Sequence, residues 1–176
     1  MLTVKIQSKK IVRIAIVTLV ILLLPLIIMQ FTDEVDWGLA DFAVAGALLI
    51  GSGITYELIS GKVNNIVYRA AVGLAVLTAF ILIWVNFAVG IIGSEDNPAN
   101  LMYIGVLHVG IFAALAARFK PHGMARAMFL TALAQILAGL IALIAGWGFS
   151  LIIDCLFAAL WIASALLFRR ANATEE

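Results

Sequence analysis

The stretch FSLIIDCLFAALWIASALLFRR, Phe149 to Arg170, decides the fold. From Phe149 to Phe168 it holds one charged residue, Asp154, and it stops at a pair of arginines. Roughly 20 helical residues, at about 1.5 Å each, cross a hydrocarbon core of about 30 Å, and this run has that length. A charge at the centre of a bilayer costs about 2.5 to 3.5 kcal/mol even on the lenient insertion scale. Asp154 is therefore expected to be paired, close to an interface, or functional.

Composition extends this reading to the whole chain. Of 176 residues, 65% are apolar and 12% charged, with a mean hydropathy of +1.16. Soluble domains are about a quarter charged, so the expected class is all-α: a polytopic membrane protein, one domain over 1–176. Six apolar runs of spanning length lie between polar breaks, at about 11–29, 37–58, 70–92, 101–117, 127–145 and 149–168. The connections are short, as in a compact bundle. Cys155 is the one cysteine, which excludes an internal disulfide. The first run follows Lys5, Lys9, Lys10 and Arg13 and is followed by MQFTDEVDW without a small-x-small cleavage site. It is expected to be a retained helix and not a cleaved signal peptide.

The eleven basic residues fall on one side of these six runs. Lys5, Lys9, Lys10 and Arg13 precede the first, and Lys62 and Arg69 separate the second from the third. Arg118, Lys120 and Arg126 separate the fourth from the fifth, and Arg169 and Arg170 follow the sixth. The opposite loops hold Asp33, Glu34, Asp36, Glu95 and Asp96 and no Lys or Arg. By the positive-inside rule both termini are expected in the cytoplasm, and the membrane is expected to be a bacterial inner membrane. The acceptor triplet Asn172-Ala173-Thr174 then lies on the wrong side for glycosylation. Asn97-Pro98 reads as a helix start, and Trp37 and Trp147 fall at the outer interface. Small residues recur every fourth position at Ala43, Ala47, Gly51 and Thr55, and again at Ala134, Ala138, Ala142 and Gly146. Such stripes let helices approach closely, within one chain or between copies.

Four polar residues on four helices share a depth. Counted from the outer boundary, Asp41 is about 6 Å deep, Asp154 about 7 to 8 Å, Asn86 about 9 Å and His108 about 10 Å. With faces turned inward they would line an outward-opening pocket, with Trp37, Trp147, Glu95 and Asp96 at its mouth. Two carboxylates and an imidazole, Asp41, His108 and Asp154, are also legitimate ligands for a divalent cation. Each residue has a plainer reading beside this one. His108 can be a hydrogen-bonded core residue, Asp41 a solvated one, and Asn86 an interhelical hydrogen bond. Glu57 is expected to pair with Lys62 or Arg69, and Thr131 and Gln135 to be polar contacts between helices.

Several chemistries are excluded. His108 and His122 lie on opposite sides of the membrane and cannot hold one haem. No G-x-S-x-G motif supports Ser150 as a nucleophile, and no H-E-x-x-H, P-loop or dinucleotide fingerprint occurs. No cofactor is assigned, and no nucleic-acid partner is expected.

The segment VGIIGSEDNPANLMY, Val89 to Tyr103, resembles loops of small, uncharacterised multi-pass bacterial inner-membrane proteins. The resemblance covers that loop and the adjoining helices and implies no catalytic residues. The expected function is non-enzymatic: binding of a small ligand, lipid head group or cation at the outer pocket, as an accessory subunit. A small proton- or cation-linked transporter or channel is the alternative, and an intramembrane metal-dependent enzyme the second. The expected partners are membrane lipids and a homo-oligomer or larger membrane complex.

Overall fold

The computed structural model describes residues 8–32, 35–61 and 63–173. Lys5, Asp33, Glu34 and Lys62, which enter the charge asymmetry, and Thr174 of the acceptor triplet lie outside the described residues. Those described form helices and turns without strands. The helices are α1 (Ser8–Ile28), α2 (Leu39–Ser60), α3 (Ile66–Ala88), α4 (Met102–Ala116, entered through a 3-10 turn at Pro98–Leu101), α5 (Pro121–Ile144) and α6 (Leu151–Ala173). Among the described residues six helical stretches are long and apolar enough to span a membrane, the fourth counted from Pro98, as in a polytopic membrane protein. The chain divides into two compact units, 1–62 and 63–176.

The first unit is the antiparallel pair α1 and α2. Contact is close because α2 offers glycine to α1: a methyl placed on Gly53 would stand 2.8 Å from Ile14 Cγ2, and one on Gly46 would stand 3.5 Å from Leu22 Cδ1. At one end of this hairpin Glu57 accepts from Lys10 Nζ at 2.7 Å and from Arg13. Its partners are thus residues of α1, which the sequence reading had not paired with it. The stripe Ala43, Ala47, Gly51 and Thr55 lies on another face of α2 and is exposed.

The second unit packs α5 against α4 and α6, with α3 beside α6. Here the second small-residue stripe does form a seam: Ala138 and Ala142 are buried. Gly110 of α4 meets Thr131 of α5, where an added methyl would stand 2.9 Å from Oγ1. Side-chain bonds tie both ends. At one end Tyr68 donates to the Phe119 carbonyl at 2.6 Å and Asn65 Nδ2 to the Ala171 carbonyl at 3.2 Å. At the other, Asn97 Nδ2 donates to the Trp147 carbonyl at 3.4 Å.

Helix ends depart from the expected spans where capping, not hydropathy, sets them. Asn65 caps α3, accepting from Val67 N and Tyr68 N, and starts it before the apolar run. Pro121 occupies the first turn of α5, where its missing N–H is no loss, so the helix begins in the polar stretch PHGMAR. α6 continues through its two arginines to Ala173. α3 stops at Ala88, because Gly90 takes a left-handed φ of 70° and turns the chain. Ile91 and Ile92, expected inside the helix, instead fold into a buried loop. Asn100 organises that loop: Oδ1 accepts from Ile91 N at 3.0 Å and Ile92 N at 2.9 Å, and Nδ2 donates to Ser94 O at 2.7 Å. Asn97 starts the next helical turn as expected, accepting from Ala99 N at 3.0 Å.

Candidate functional site

In the second unit Asp154 stands in the first turns of α6, four residues after Ser150, so both project from one face. α5 presents Gln135 and Gly139, also four apart, and α4 presents Tyr103. Each of these elements is needed. Gln135 Nε2 donates to Asp154 Oδ1 at 2.8 Å. Gly139 lets the carboxylate lie against the α5 backbone, since a methyl there would stand 2.7 Å from the carboxyl carbon. The Tyr103 hydroxyl interacts with both Ser150 and Asp154, although neither approach has the geometry of a formed hydrogen bond.

Burial makes this cluster exceptional. Asp154 and Gln135 are fully buried and Ser150 and Tyr103 are 1% exposed. Four of their side-chain atoms, Tyr103 Oη, Gln135 Oε1, Ser150 Oγ and Asp154 Oδ2, have no hydrogen-bond partner. All four are oxygens. A buried polar atom without a partner costs about 1 to 3 kcal/mol. An ionised carboxylate without countercharge costs more, and it is normally neutralised by a proton or a cation. Among the described residues no Lys, Arg or His pairs with Asp154; the ion pairs there are those of Glu57. The remaining help is the N-terminus of α6, whose unpaired N–H groups favour negative charge nearby.

The residues singled out in the sequence are distributed differently from the pocket expected of them. Asp154 is at the centre of the buried cluster. His108 is exposed, its Nδ1 2.7 Å from the Ile104 carbonyl and its ring 5.9 Å from that of Phe112. Five residues separate it from Tyr103, about 140° around α4, so it turns away from Asp154. Asn86 is half-buried with Oδ1 unpartnered. Ser164 Oγ donates to the Ala71 carbonyl at 2.9 Å; from there the antiparallel register of α3 and α6 brings Asn86 level with Ser150. Asp41 belongs to the first unit, where it is exposed and accepts from Gly38 N at 2.8 Å, capping α2. Trp37, beside it, meets Phe42 edge-on at 5.3 Å. Trp147, Glu95 and Asp96 are exposed on the loops of the second unit. No group of three or more His, Cys, Asp or Glu side chains suited to a metal occurs among the described residues. Ile92 and Ser150 are buried at the same end of the second unit as Asp154.

Tyr103 and Gly139 were not singled out by sequence reasoning, and Gln135 was read as a packing contact. The available signal was the Gln135–Gly139 spacing: a polar residue with a gap one turn later on an otherwise apolar helix. No family model matches the chain, and no curated protein or solved structure is similar to it.

Proposed function

We propose that this multi-pass membrane protein is a non-enzymatic binding protein, and that the Asp154 cluster takes one small monovalent cation. One observation carries this reading: Asp154 Oδ2, on a carboxylate with no countercharge among the described residues, is buried without a hydrogen-bond partner, and so are the side-chain oxygens of Tyr103, Gln135 and Ser150 in the same cluster. Hard cations take oxygen ligands, and a single carboxylate offers one negative charge to balance. Neutral oxygens from Tyr103, Ser150 and Gln135 complete such a shell without adding charge.

Thermal unfolding of the purified protein tests this. Added sodium should raise the melting temperature of the parent progressively, because a ligand stabilises the state that binds it. Asp154→Asn should fold but lose the sodium response. Equal effects of sodium and choline chloride, or an unchanged response in Asp154→Asn, would overturn the assignment. Passage of the cation across the membrane is a second reading, favoured by one feature. The buried indole N–H of Trp161, also unpartnered, follows Asp154 two turns along the same face of α6.

We also propose that the basic end of each unit faces the cytoplasm of a bacterium, on the strength of the positive-inside rule. Association with further copies is supported by the exposed small-residue stripe on α2.

A further inference from the structure

The first unit carries a feature unrelated to Asp154. Between α1 and α2 lies a groove of about 230 Å³, walled by Ile14, Val17, Ile21 and Leu49 and ending at Arg13 and Glu57. We propose that this groove holds an acidic phospholipid, with an acyl chain along the apolar wall and the phosphate on Arg13.

The electrostatics select an anion. Glu57 is buried, its side chain 3% exposed, and it balances one positive charge; two stand on it, Lys10 and Arg13. Among the described residues one charge remains uncompensated, and Lys9 adds another on the same helix end. Arg13 is the group placed to offer it, because its side chain is 63% exposed and one nitrogen is engaged with Glu57. A guanidinium has five N–H donors in a planar fork, which suits two phosphate oxygens at once. Glu57 holds that fork at the groove's end.

The geometry selects a lipid over a free phosphate. Arg13 to Ile21 spans about 12 Å along α1, and between the charged end and Ile21 the groove is walled by aliphatic side chains, Gly53, Thr18 and the ring of Tyr56. Thr18 is also the one buried residue of α1, so this helix offers hydrocarbon to its surroundings on most of its circumference. The basic end of the groove falls where a head group would lie and the apolar part where a chain would lie. Basic residues near anionic lipid contribute enough for about a fivefold gain in binding each.

The test uses the full-length protein in detergent, titrated with dioctanoyl phosphatidylglycerol, dioctanoyl phosphatidylcholine and inorganic phosphate, and read by native mass spectrometry and thermal shift. Phosphatidylglycerol should bind most tightly. Arg13→Gln should weaken it about fivefold while leaving phosphatidylcholine unchanged, and Arg13→Lys should retain part of the preference. Leu49→Trp, which fills the groove and keeps Arg13, should abolish the phosphatidylglycerol adduct. Arg126→Gln, a charge removed from the second unit, should change nothing. The proposal fails if the two lipids bind equally, if inorganic phosphate binds as well as phosphatidylglycerol, or if Arg126→Gln matches Arg13→Gln. It also fails if Leu49→Trp dissociates a dimer without altering lipid binding, since a second copy would then occupy the groove.

Discussion

The arrangement of Asp154 depends on what Gly139 lacks. A side chain there would occupy the place of the carboxylate, and Gln135, one turn earlier, holds the other oxygen. Gly139→Ala is therefore expected to destabilise the protein by about 1 to 3 kcal/mol, the usual range for an extra methyl forced into a packed interior. The origin of that loss is testable by a double-mutant cycle, because Asp154→Ala removes the carboxyl group the methyl would strike. In the Asp154→Ala background the Gly139→Ala penalty should shrink by at least half, a coupling typical of residues in contact. Equal penalties in both backgrounds, measured by chemical denaturation in mixed micelles, would show that Gly139 serves the helix packing and not the carboxylate. Asp154 itself was legible in the sequence because one charge in a twenty-residue apolar run has few innocent explanations. Its companions were not. Tyr103 and Ser150 are ordinary residues near a membrane interface, and their meaning depends on helix rotation. In helices apolar on every side, no periodic polar face reveals that rotation. His108 shows the same gap from the other direction: its depth matched Asp154, but its azimuth did not.

At the level of elements, the end of the second unit that carries Ser150 is finished by backbone turns and amide side chains. Gly90 and Gly93 adopt φ of 70° and 73°, and a methyl on Gly148 would stand 3.2 Å from Gly93 N, so the 90–97 loop rests on the α5–α6 turn. Asn100 supplies what the loop's own backbone cannot, pairing two N–H groups that are both buried. Asn100→Ala leaves both donors without acceptors. A loss of about 2 to 6 kcal/mol is expected, the sum over two orphaned groups, together with faster proteolysis between Gly90 and Pro98. Unchanged proteolysis with a lowered melting point would place the damage in α4 instead. The spans of the six helices were readable in the sequence because length and hydropathy are what a bilayer selects. Their ends were less so, since Asn65, Pro121 and Gly90 act through single hydrogen bonds or single dihedral angles that an apolar run does not register. Within the Val89–Tyr103 segment, Asn100 is the residue on which the loop's hydrogen bonding depends.

For the whole molecule, the distribution of charge is the broadest regularity. In the second unit Arg69, Arg118, Lys120, Arg126, Arg169 and Arg170 belong to the end tied by Tyr68 to Phe119 and Asn65 to Ala171, while Glu95 and Asp96 belong to the end tied by Asn97 to Trp147. In the first unit Lys9, Lys10 and Arg13 gather with Glu57 at one end of the hairpin, and Asp36 precedes α2 at the other. The positive-inside rule converts this polarity into an orientation, and that orientation decides which compartment lies nearer to Asp154. Cysteine labelling in intact cells measures it. Cys155 is exposed on α6 and has to be replaced first. Ser94 and His122 are exposed at opposite ends of the second unit and suit a new thiol; Gly123 does not, because a side chain there would stand 2.6 Å from Ala117 Cβ. Ser94→Cys should react with an impermeant thiol reagent in intact cells, and His122→Cys should react only after the membrane is opened. The reverse pattern would put the basic end outside and bring the Asp154 cluster close to the cytoplasm, so that a cytoplasmic cation, not an external one, would be its ligand. Labelling of both positions in intact cells would mean that the chain inserts in two orientations, as expected only if the one-sided basic residues exert no control.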